Sequence, residues 1–209
     1  MTAPPVPLVF IVDDDPSVRK SLVRLVRTAG YDVEPFASAR EFLARPQDDG
    51  PCCLVLDVRM PGLTGLDLQE ALATAGHRLS IVFITGYGDV ATTVKAMKGG
   101  AVDFLTKPVN DRALLSAIER AVSRARQLRR EQAKITEIKD RIKTLTPRET
   151  EVFALVVTGM LNKQIAGDLG VGEKMVKVHR GRVMQKMRAG SPAELVRLAD
   201  QGGVIAAKP

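Results

Sequence analysis

The chain of 209 residues has few of the residue types that mark several protein classes. Its two cysteines, Cys52 and Cys53, are adjacent, so no disulfide framework is expected and a reducing compartment is favoured. Aromatic residues make up 4% of the chain and tryptophan is absent, which argues against a stacking platform for single-stranded nucleic acid. No apolar run approaches the roughly 18 residues that span a bilayer, so no membrane partner is expected.

The net charge of +7 is distributed unevenly. Residues 1–122 contain 13 basic and 15 acidic residues, residues 123–143 contain 8 and 3, and residues 144–209 contain 10 and 6. The length allows two small domains, and an apolar fraction of 45% is sufficient for buried cores. An acidic first part and a basic last part favour a second domain that binds a polyanion, although a solvated basic face would leave the same charge pattern.

Short apolar runs alternate with amphipathic segments in the acidic part of the chain. The runs are typical of buried parallel strands, and the segments between them are typical of helices. This alternation predicts a doubly wound, five-stranded parallel α/β sheet with right-handed crossovers. The predicted strands are Leu8–Val12, Tyr31–Phe36, Cys53–Asp57, Leu79–Ile84 and Ala101–Leu105, and the predicted helices are Pro16–Ala29, Ser38–Ala44, Thr64–Ala75 and Asp89–Lys98.

One long helix is predicted from Asn110 to Leu145, because its apolar positions are mostly spaced by three and four residues. Its first part would close the α/β domain, and the rest would be a linker, either as a lone helix or as the seam of a homodimer. The remaining residues predict an all-helical domain. The TPRE segment (146–149) is a capping signature, Asn162 is expected to cap the next helix, and a basic helix follows up to Met187. Two short helices around a glycine-containing turn, the second of them basic, favour a helix-turn-helix.

Ligands of doubly wound sheets bind beyond the carboxyl ends of the strands. The side chains expected there are those of Asp13, Asp14, Asp15, Asp57, Thr85 and Lys107. Three carboxylates in one cleft repel one another unless a divalent cation lies between them, and oxygen ligands alone favour Mg²⁺. With an ammonium and a hydroxyl beside it, Asp57 is predicted to accept a phosphoryl group. The alternatives are that residues 13–15 cap the next helix and that Asp57 forms a turn.

Four segments resemble the receiver domain of two-component signalling, which has a CheY-like fold. They are FIVDDDPSVR (10–19), LVLDVRMPGLTGLDL (54–68), FITGYGD (83–89) and AVDFLTKPV (101–109). The resemblance implies that Asp57 is phosphorylated. It also implies that Asp14 is a direct ligand of Mg²⁺ or Mn²⁺, that Asp13 is its outer partner, and that the backbone carbonyl of Arg59 is a further ligand.

The same resemblance assigns three residues to a switch. Thr85 is implied to be the switch hydroxyl, and Lys107 the phosphate-pairing lysine with a cis bond to Pro108. Phe104 occupies the aromatic switch position, and ordinary core packing is the alternative for it. For the cysteine pair, burial in a strand is preferred to redox sensing.

Residues 145–187 resemble a LuxR-type helix-turn-helix through the segments TPRE, NKQIA and VKVHR. The implied DNA contacts are Lys177 and Val178 in the major groove, with Lys174, Arg180, Arg182 and Lys186 at phosphates or flanking bases. Met175 and Gly181 depart from the pattern, because a Thr or Ser and a base-contacting side chain are usual there. His179 is expected to pack or to contact a phosphate rather than to bind a metal, since no second His or Cys is suitably spaced.

The combined order of domains resembles the FixJ/NarL group of response regulators. It implies a receiver (1–122), a helical linker (123–143) and a DNA-binding domain (144–209) in a cytoplasmic transcriptional regulator. The implied partners are a sensor histidine kinase, double-stranded promoter DNA, a second copy of the chain after phosphorylation, and RNA polymerase. The only implied catalysis is Mg²⁺-dependent phosphoryl acceptance and slow dephosphorylation, so the chain is not expected to be an enzyme.

Two other functions fit parts of the sequence. The first is a DNA-binding transcription factor with a degenerate switch that works without phosphorylation, although the full acidic set argues against it. The second is a small phosphatase that passes through an aspartyl phosphate. Arg59 stands where such an enzyme has its second general acid, and no cap domain of substrate size is present, so this function is disfavoured.

Overall fold

The computed structural model describes residues 6–45, 52–77, 79–86 and 88–204, so residues 1–5 and Tyr87 of the FITGYGD segment lie outside it. The strands are β1 (Leu8–Val12), β2 (Asp32–Phe36), β3 (Cys52–Asp57), β4 (Ser80–Thr85) and β5 (Asp103–Thr106). The helices are α1 (Pro16–Thr28), α2 (Ala39–Ala44), α3 (Gly65–Thr74), α4 (Val90–Lys98), α5 (Asp111–Lys143), α6 (Pro147–Val157), α7 (Asn162–Leu169), α8 (Glu173–Met187) and α9 (Pro192–Gly202). None of the helices described is both long enough and apolar enough to cross a bilayer.

The five strands form one parallel sheet in the order β2-β1-β3-β4-β5. This confirms the predicted doubly wound α/β architecture. The chain runs outward to β2, returns past β1 to β3, and then continues to β5. The change of direction lies between β1 and β3, where the carboxyl ends of adjacent strands form a crevice for ligands.

Side chains of each central strand alternate between two cores. Val9 and Ile11 of β1 pack with α1 and α5, whereas Phe10 and Val12 pack on the opposite face with α2, α3 and α4. Burial on both faces explains why these strands read as unbroken apolar runs. Cys52 and Cys53 follow the same rule: they are buried in opposite cores and form no disulfide. Burial raises the pKa of the Cys53 thiol, so the pair fits strand packing.

The four C-terminal helices surround a third core, with Phe153 of α6, Ile165 of α7 and Val183 of α8 among its members. Helices α7 and α8 are joined by a tight turn at Gly170, which has a left-handed backbone with φ of 64°. Glycine adopts this conformation without a steric penalty, so it ends α7 and redirects the chain. The arrangement is the predicted helix-turn-helix.

The chain separates into two compact units, Met1–Arg129 and Arg130–Pro209. Helix α5 contributes to both of them. Ile118 in its first part is buried against the sheet, and Ile138 near its end is buried in the core of the C-terminal helices. The last turns of α5 are therefore part of the second unit. The predicted boundaries at 122/123 and 143/144 stay a prediction.

The observed bounds agree with the predicted ones within one or two residues, and one cap is different. Helix α7 begins at Asn162, so Leu161 is the N-cap residue and the expected cap by Asn162 is wrong. The backbone N–H of Leu161 instead donates to Oε1 of Gln164, at 2.8 Å. The side-chain oxygen of Asn162 accepts a hydrogen bond from Nη1 of Arg180, at 3.0 Å, and is therefore engaged by α8.

Candidate functional site

Three predicted site residues lie at the carboxyl ends of neighbouring strands. Asp13 follows β1, Asp57 ends β3, and Thr85 ends β4. All three are buried, with Asp13 and Thr85 fully inaccessible and Asp57 5% exposed. The register pairs Val12 with Leu56, so the parallel ladder places the two aspartates side by side at one edge of the sheet.

Lys107 joins the two aspartates. Its Nζ donates to Oδ2 of Asp57 at 2.6 Å and to Oδ2 of Asp13 at 2.8 Å. The lysine comes just after β5, and its backbone N–H donates to the carbonyl oxygen of Thr85 at 2.7 Å, which anchors it to the tip of β4. The bond to Pro108 is cis, as the resemblance implies. One ammonium thus faces two buried carboxylates.

The electrostatics of this cluster follow from burial and pairing. Burial raises the pKa of Asp13, and its hydrogen bond to Lys107 only partly opposes this effect. For Lys107, burial would lower the pKa, but the hydrogen bonds to Asp13 and Asp57 outweigh it, so the pKa is raised. The lysine therefore stays protonated at neutral pH and compensates the carboxylates.

Asp14 completes the group. Its exposed carboxylate and those of Asp13 and Asp57 each offer an oxygen, and these oxygens all lie within 4.8 Å of one another. Hard oxygen ligands on a partly open rim fit Mg²⁺, which keeps several waters and takes few protein ligands. Arg59 lies at the same edge, where its backbone N–H donates to Oδ1 of Asp57 at 3.1 Å.

The three consecutive aspartates have two different roles, helix capping and membership of the carboxylate cluster. Asp15 caps α1, because its Oδ1 accepts hydrogen bonds from the backbone N–H groups of Ser17 and Val18, at 2.7 and 3.2 Å. Asp13 and Asp14 belong to the carboxylate cluster instead. The capping alternative therefore holds for one of the three residues.

Two residues that the sequence reasoning missed hold the cluster in place. Nη1 of Arg19, one turn into α1, donates to the backbone carbonyl of Asp13 at 2.5 Å. Gly65 begins α3 directly against β3, and an added Cβ would lie 2.2 Å from the carbonyl oxygen of Asp57. The sequence signal for Gly65 is a glycine eight residues after the strand-end Asp57, and by itself it indicates no more than a turn.

Phe104 lies beside Thr85. A Cβ added to Gly88 would be 3.3 Å from Cε1 of Phe104 and 3.8 Å from Cγ2 of Thr85, so both side chains border the same glycine. The Phe104 ring packs on the core, with its centroid 6.2 Å from that of Phe83. It is partly buried, so core packing accounts for this position, and its switch role stays a prediction.

The second candidate site is the outer face of α8. Val176, Val183 and Met187 are buried on the inner face. The exposed residues of the opposite face include Lys174, Met175, Lys177, Val178, Gly181 and Arg182. This surface combines cationic and apolar side chains on a helix that follows a tight turn, as expected for a helix placed in the major groove of DNA.

Two family models match this chain, one over each of its two parts. Residues 9–119 match the family model of the response regulator receiver domain, and residues 143–199 match that of bacterial regulatory proteins of the luxR family. The chain belongs to the response regulator family. Its second domain is of the LuxR type, the class of DNA-binding transcriptional regulators.

Relatives of this response regulator match it along most of its length. Nodulation protein W of Bradyrhizobium diazoefficiens is 50% identical, over 95% of this chain and 88% of the relative. The transcriptional regulatory protein FixJ of Rhizobium meliloti is 42% identical, over 93% and 96%. Among solved structures, the response regulator StyR is similar with a TM-score of 0.82 and 45% identity, covering 94% of this chain and all of StyR.

Two of the predicted DNA contacts in the LuxR-type domain are engaged within the protein. Arg180 reaches from α8 to Asn162 at the start of α7. Lys186 donates to Oε2 of Glu149 at 2.6 Å and to the carbonyl oxygen of Thr144 at 2.9 Å. Its phosphate contact stays a prediction, and the structure gives it a second role in holding α8 to α6.

His179 lies on α8 between the inner and outer faces, and its Nδ1 is buried and has no hydrogen-bond partner. This position fits the expected packing role. Among the described residues, the only group of three or more His, Cys, Asp or Glu side chains able to hold a metal ion is the aspartate cluster.

The ion pair between the buried Glu149 and the half-buried Lys186 predicts a strongly acidic carboxyl group. The hydrogen bond from Lys186 and the backbone N–H of Thr146 lower the pKa of Glu149 to about 2, from an ordinary value of 4.5. A lowered folded-state pKa stabilises the fold above pH 4.5, and this stabilisation is lost as the pH falls toward 2. At pH 3.5, the carboxyl ¹³C shift of Glu149 is therefore expected to be that of a carboxylate.

The Lys186→Met variant removes the ion pair and with it the largest cause of the lowered pKa, so the protonated fraction of the Glu149 carboxyl at pH 3.5 is expected to rise. Lys174→Met is the control, because Lys174 is exposed on the same helix and makes no such contact. An unchanged Glu149 shift in Lys186→Met would contradict the assignment of the lowered pKa to Lys186.

Replacement of Gly181 by alanine is expected to stabilise the protein. An added Cβ meets no atom within 4 Å, so Gly181→Ala is expected to stabilise the protein by about 1 kcal/mol through helix propensity. Urea unfolding followed by circular dichroism measures the change. Gly202→Ala is the contrasting variant, because its Cβ would lie 2.7 Å from Cδ1 of Ile142 and 3.1 Å from Cγ2 of the buried Ile138, and it is expected to stabilise the protein less than Gly181→Ala does. Destabilisation by Gly181→Ala would show that the outer face of α8 is not open at this position.

Proposed function

We propose that this response regulator accepts a phosphoryl group on Asp57 from a sensor histidine kinase, and that the phosphorylated form binds promoter DNA as a homodimer. The observation that supports the acceptor is its carboxylate. It is almost buried, lies 2.6 Å from the ammonium of Lys107, and shares a cluster with two further carboxylates. A lone structural aspartate would not require this set of neighbours.

Phosphoryl transfer needs a nucleophile and a means of compensating charge. A carboxylate oxygen of Asp57 attacks the phosphorus of a phosphohistidine, the P–N bond breaks, and its electron pair returns to the imidazole. The product is an acyl phosphate. Lys107 is already hydrogen-bonded to Asp57 and is placed to pair with an oxygen of the transferred group.

The proposed direct ligands of Mg²⁺ or Mn²⁺ are the carboxylates of Asp14 and Asp57 and the backbone carbonyl of Arg59, with the carboxylate of Asp13 as their outer partner. The three carboxylates fit these roles because they offer oxygen atoms only, close together at one edge of the sheet. A bound divalent cation would neutralise negative charge on the phosphoryl oxygens. Asp13 is additionally fixed by Arg19, so its position does not depend on the cation alone.

Phosphorylation adds roughly 1.5 to 2 negative charges at this edge of the sheet, if the acyl phosphate behaves like other phosphoryl groups. Thr85 is proposed to move toward the new oxygens, and Phe104 to turn into the space that becomes available. Both side chains border Gly88, which supports their coupling. The result is a population shift between two packings around α4 and β5.

We propose three parts for the chain: residues 1–122 receive the phosphoryl group, residues 123–143 connect, and residues 144–209 bind DNA. Lys177 and Val178 face the major groove, with Lys174, Arg180, Arg182 and Lys186 at phosphates or flanking bases. A protein that binds promoter DNA acts in the cytoplasm, which is therefore its proposed location. RNA polymerase is a further candidate partner there. The protein's own catalysis is limited to phosphoryl acceptance and slow dephosphorylation.

Sizing and footprinting with and without beryllofluoride test this function. In the presence of Mg²⁺, beryllofluoride is expected to convert the full-length protein from monomer to dimer and to strengthen a footprint of two spaced half-sites at least tenfold. Asp57→Asn is expected to remain monomeric. A footprint of equal strength in both states would favour the alternative, a transcription factor that works without phosphorylation.

A further inference from the structure

The connecting part of α5 is the most basic segment of the chain. Residues 123–143 contain 8 basic and 3 acidic residues, a net charge of +5, whereas the longer segment 144–209 contains 10 and 6, a net charge of +4. A helix that only joins two domains needs no excess of one charge, so this excess requires a separate explanation.

The acidic residues of this segment compensate mainly its C-terminal end. Oε1 of Glu137 pairs with Nη2 of Arg141 at 2.6 Å, and Oδ1 of Asp140 pairs with Nζ of Lys143 at 2.8 Å. Closer to the receiver, four cations are exposed and form no ion pair with any residue that the structure describes: Arg126, Arg129, Arg130 and Lys134.

Three of these cations lie along one face of the helix. Arg126, Arg130 and Lys134 follow one another at intervals of four residues, so they are neighbours on one side of α5. The helix is unbroken from Asp111 to Lys143, and the three positions span about 12 Å along its axis. We call Arg126, Arg130 and Lys134 the basic stripe.

The surroundings of the basic stripe favour a polyanion over a protein partner. Protein interfaces usually have an apolar core, and residues 123–143 include no exposed large apolar side chain. The receiver of a second copy is a poor match, because residues 1–122 contain 13 basic and 15 acidic residues and are nearly neutral. Duplex DNA carries one negative charge per about 1.7 Å of its axis, so a stripe of this length would face several phosphates.

The basic stripe is anchored to the unit that contains the helix-turn-helix. That unit begins at Arg130, and Ile138 of the same helix is buried in its core. Nη1 of Arg141 donates to the carbonyl oxygen of Met187 at the end of α8, at 3.1 Å. Lys134 therefore lies about two helical turns from a contact with α8.

We propose that the basic stripe binds the phosphate backbone of DNA that flanks the half-site contacted by α8. This inference rests on the proposed DNA-binding function and adds a second DNA-contacting element to it. Guanidinium and ammonium groups at phosphates read no bases, so the basic stripe contributes to affinity and not to sequence selection.

The test compares two duplexes over a range of salt concentrations. The full-length protein, activated with beryllofluoride and Mg²⁺, first selects its preferred duplex from a random pool. The minimal duplex ends at the outer edges of the two half-sites, and the extended duplex adds about ten base pairs, one helical turn, on each side. The wild type is expected to bind the extended duplex about tenfold more tightly, and this affinity is expected to fall more steeply with salt.

A triple variant removes the basic stripe. The combination of Arg126→Gln, Arg130→Gln and Lys134→Gln is expected to bind the two duplexes with nearly equal affinity. Its slope of log affinity against log salt on the extended duplex is expected to be smaller by about 0.9 for each phosphate that is no longer neutralised. Glutamine has nearly the helix propensity of arginine and lysine, so α5 is expected to stay helical, which circular dichroism checks.

Two further variants separate local charge from other effects. Arg126→Lys combined with Arg130→Lys keeps the charge and is expected to keep the preference for the extended duplex. Lys20, Arg24 and Arg40 are exposed on α1 and α2 and match the basic stripe in residue type. Their combined replacement by glutamine removes the same charge from the receiver and is expected to keep the preference as well.

Several results would overturn the proposal. Equal affinity of the wild type for the two duplexes, or a preserved preference in the triple variant, would reject the basic stripe and leave DNA binding by α8 intact. The same loss of preference in the receiver control would show an effect of net charge alone. A changed dimerisation of the triple variant without DNA, together with a preserved preference, would assign the stripe to a protein contact. Selection of no duplex at all would overturn the proposed function as well.

Discussion

Asp57→Asn is expected to abolish phosphorylation by acetyl phosphate in the presence of Mg²⁺. The neutral amide has no charged oxygen to attack phosphorus, and it also removes one of the three clustered carboxylates. Lys107 loses its shorter contact, at 2.6 Å to Asp57, and keeps only Asp13. Electrophoresis that retards phosphorylated chains, or mass spectrometry of the intact protein, measures the labelled fraction, which is expected to fall below detection.

The control for this variant is Asp32→Asn. Asp32 is an exposed aspartate at the opposite end of the sheet. Its replacement by asparagine is expected to leave labelling at the wild-type level. Circular dichroism of both variants checks that the fold is retained. Labelling of Asp57→Asn at the wild-type rate would place the acceptor elsewhere and reject the site.

Gly65→Ala is expected to destabilise the receiver domain by about 3 kcal/mol or more, through steric overlap with rigid backbone. The added Cβ would lie 2.2 Å from the carbonyl oxygen of Asp57 and 3.1 Å from Cγ of Leu56. The backbone N–H of Gly65 donates to the carbonyl of Val58 at 2.9 Å, so the helix cannot move away without losing this bond. Urea unfolding of the full chain measures the shift.

Gly86→Ala serves as the matched control in the same domain. Its added Cβ would meet no atom within 4 Å, and it also lies near the carboxyl end of a central strand, directly after Thr85. A change of less than about 0.5 kcal/mol is expected for this surface position. Equal midpoints for the two alanine variants would show that α3 does not begin against β3 as described.

Periodicity in the sequence predicted most of the fold, because the receiver sheet is buried on both faces. The strands have to be unbroken apolar runs, and the helices between them have to be amphipathic. The observed strand ends differ from the predicted ones at positions where the run of apolar residues stops. Thr85 and Thr106 pair with each other in the ladder between β4 and β5, so hydrogen bonding continues beyond the apolar residues.

The proximity of Asp13, Asp57, Thr85 and Lys107 could also be predicted, because parallel strands bring their carboxyl ends to one edge. Contacts that depend on the conformation of an individual side chain could not be predicted from the sequence. The sequence does not show that Asp15, rather than Asp13, satisfies the first amides of α1. The pairing of Lys186 with Glu149 was hidden for the same reason, because the two residues are far apart in the chain and meet only when α8 packs on α6.

Helix α5 shows a third limit of prediction from the sequence. Its spacing of apolar residues continues from the receiver into the C-terminal unit, and the sequence alone leaves open whether the seam contacts a second copy. In the structure, Leu114 and Ile118 fill one core and Ile138 fills another. A continuous repeat can thus result from two separate packing partners at the two ends of one helix.

The identity of the phosphorylated residue is the most direct test of the proposed function. Wild-type protein is treated with acetyl phosphate and Mg²⁺, and borohydride then reduces any acyl phosphate to an alcohol. Peptide mass spectrometry is expected to find aspartate converted to homoserine at position 57 and at no other position. Homoserine at another aspartate, or no conversion while the protein remains folded, would contradict phosphorylation at Asp57.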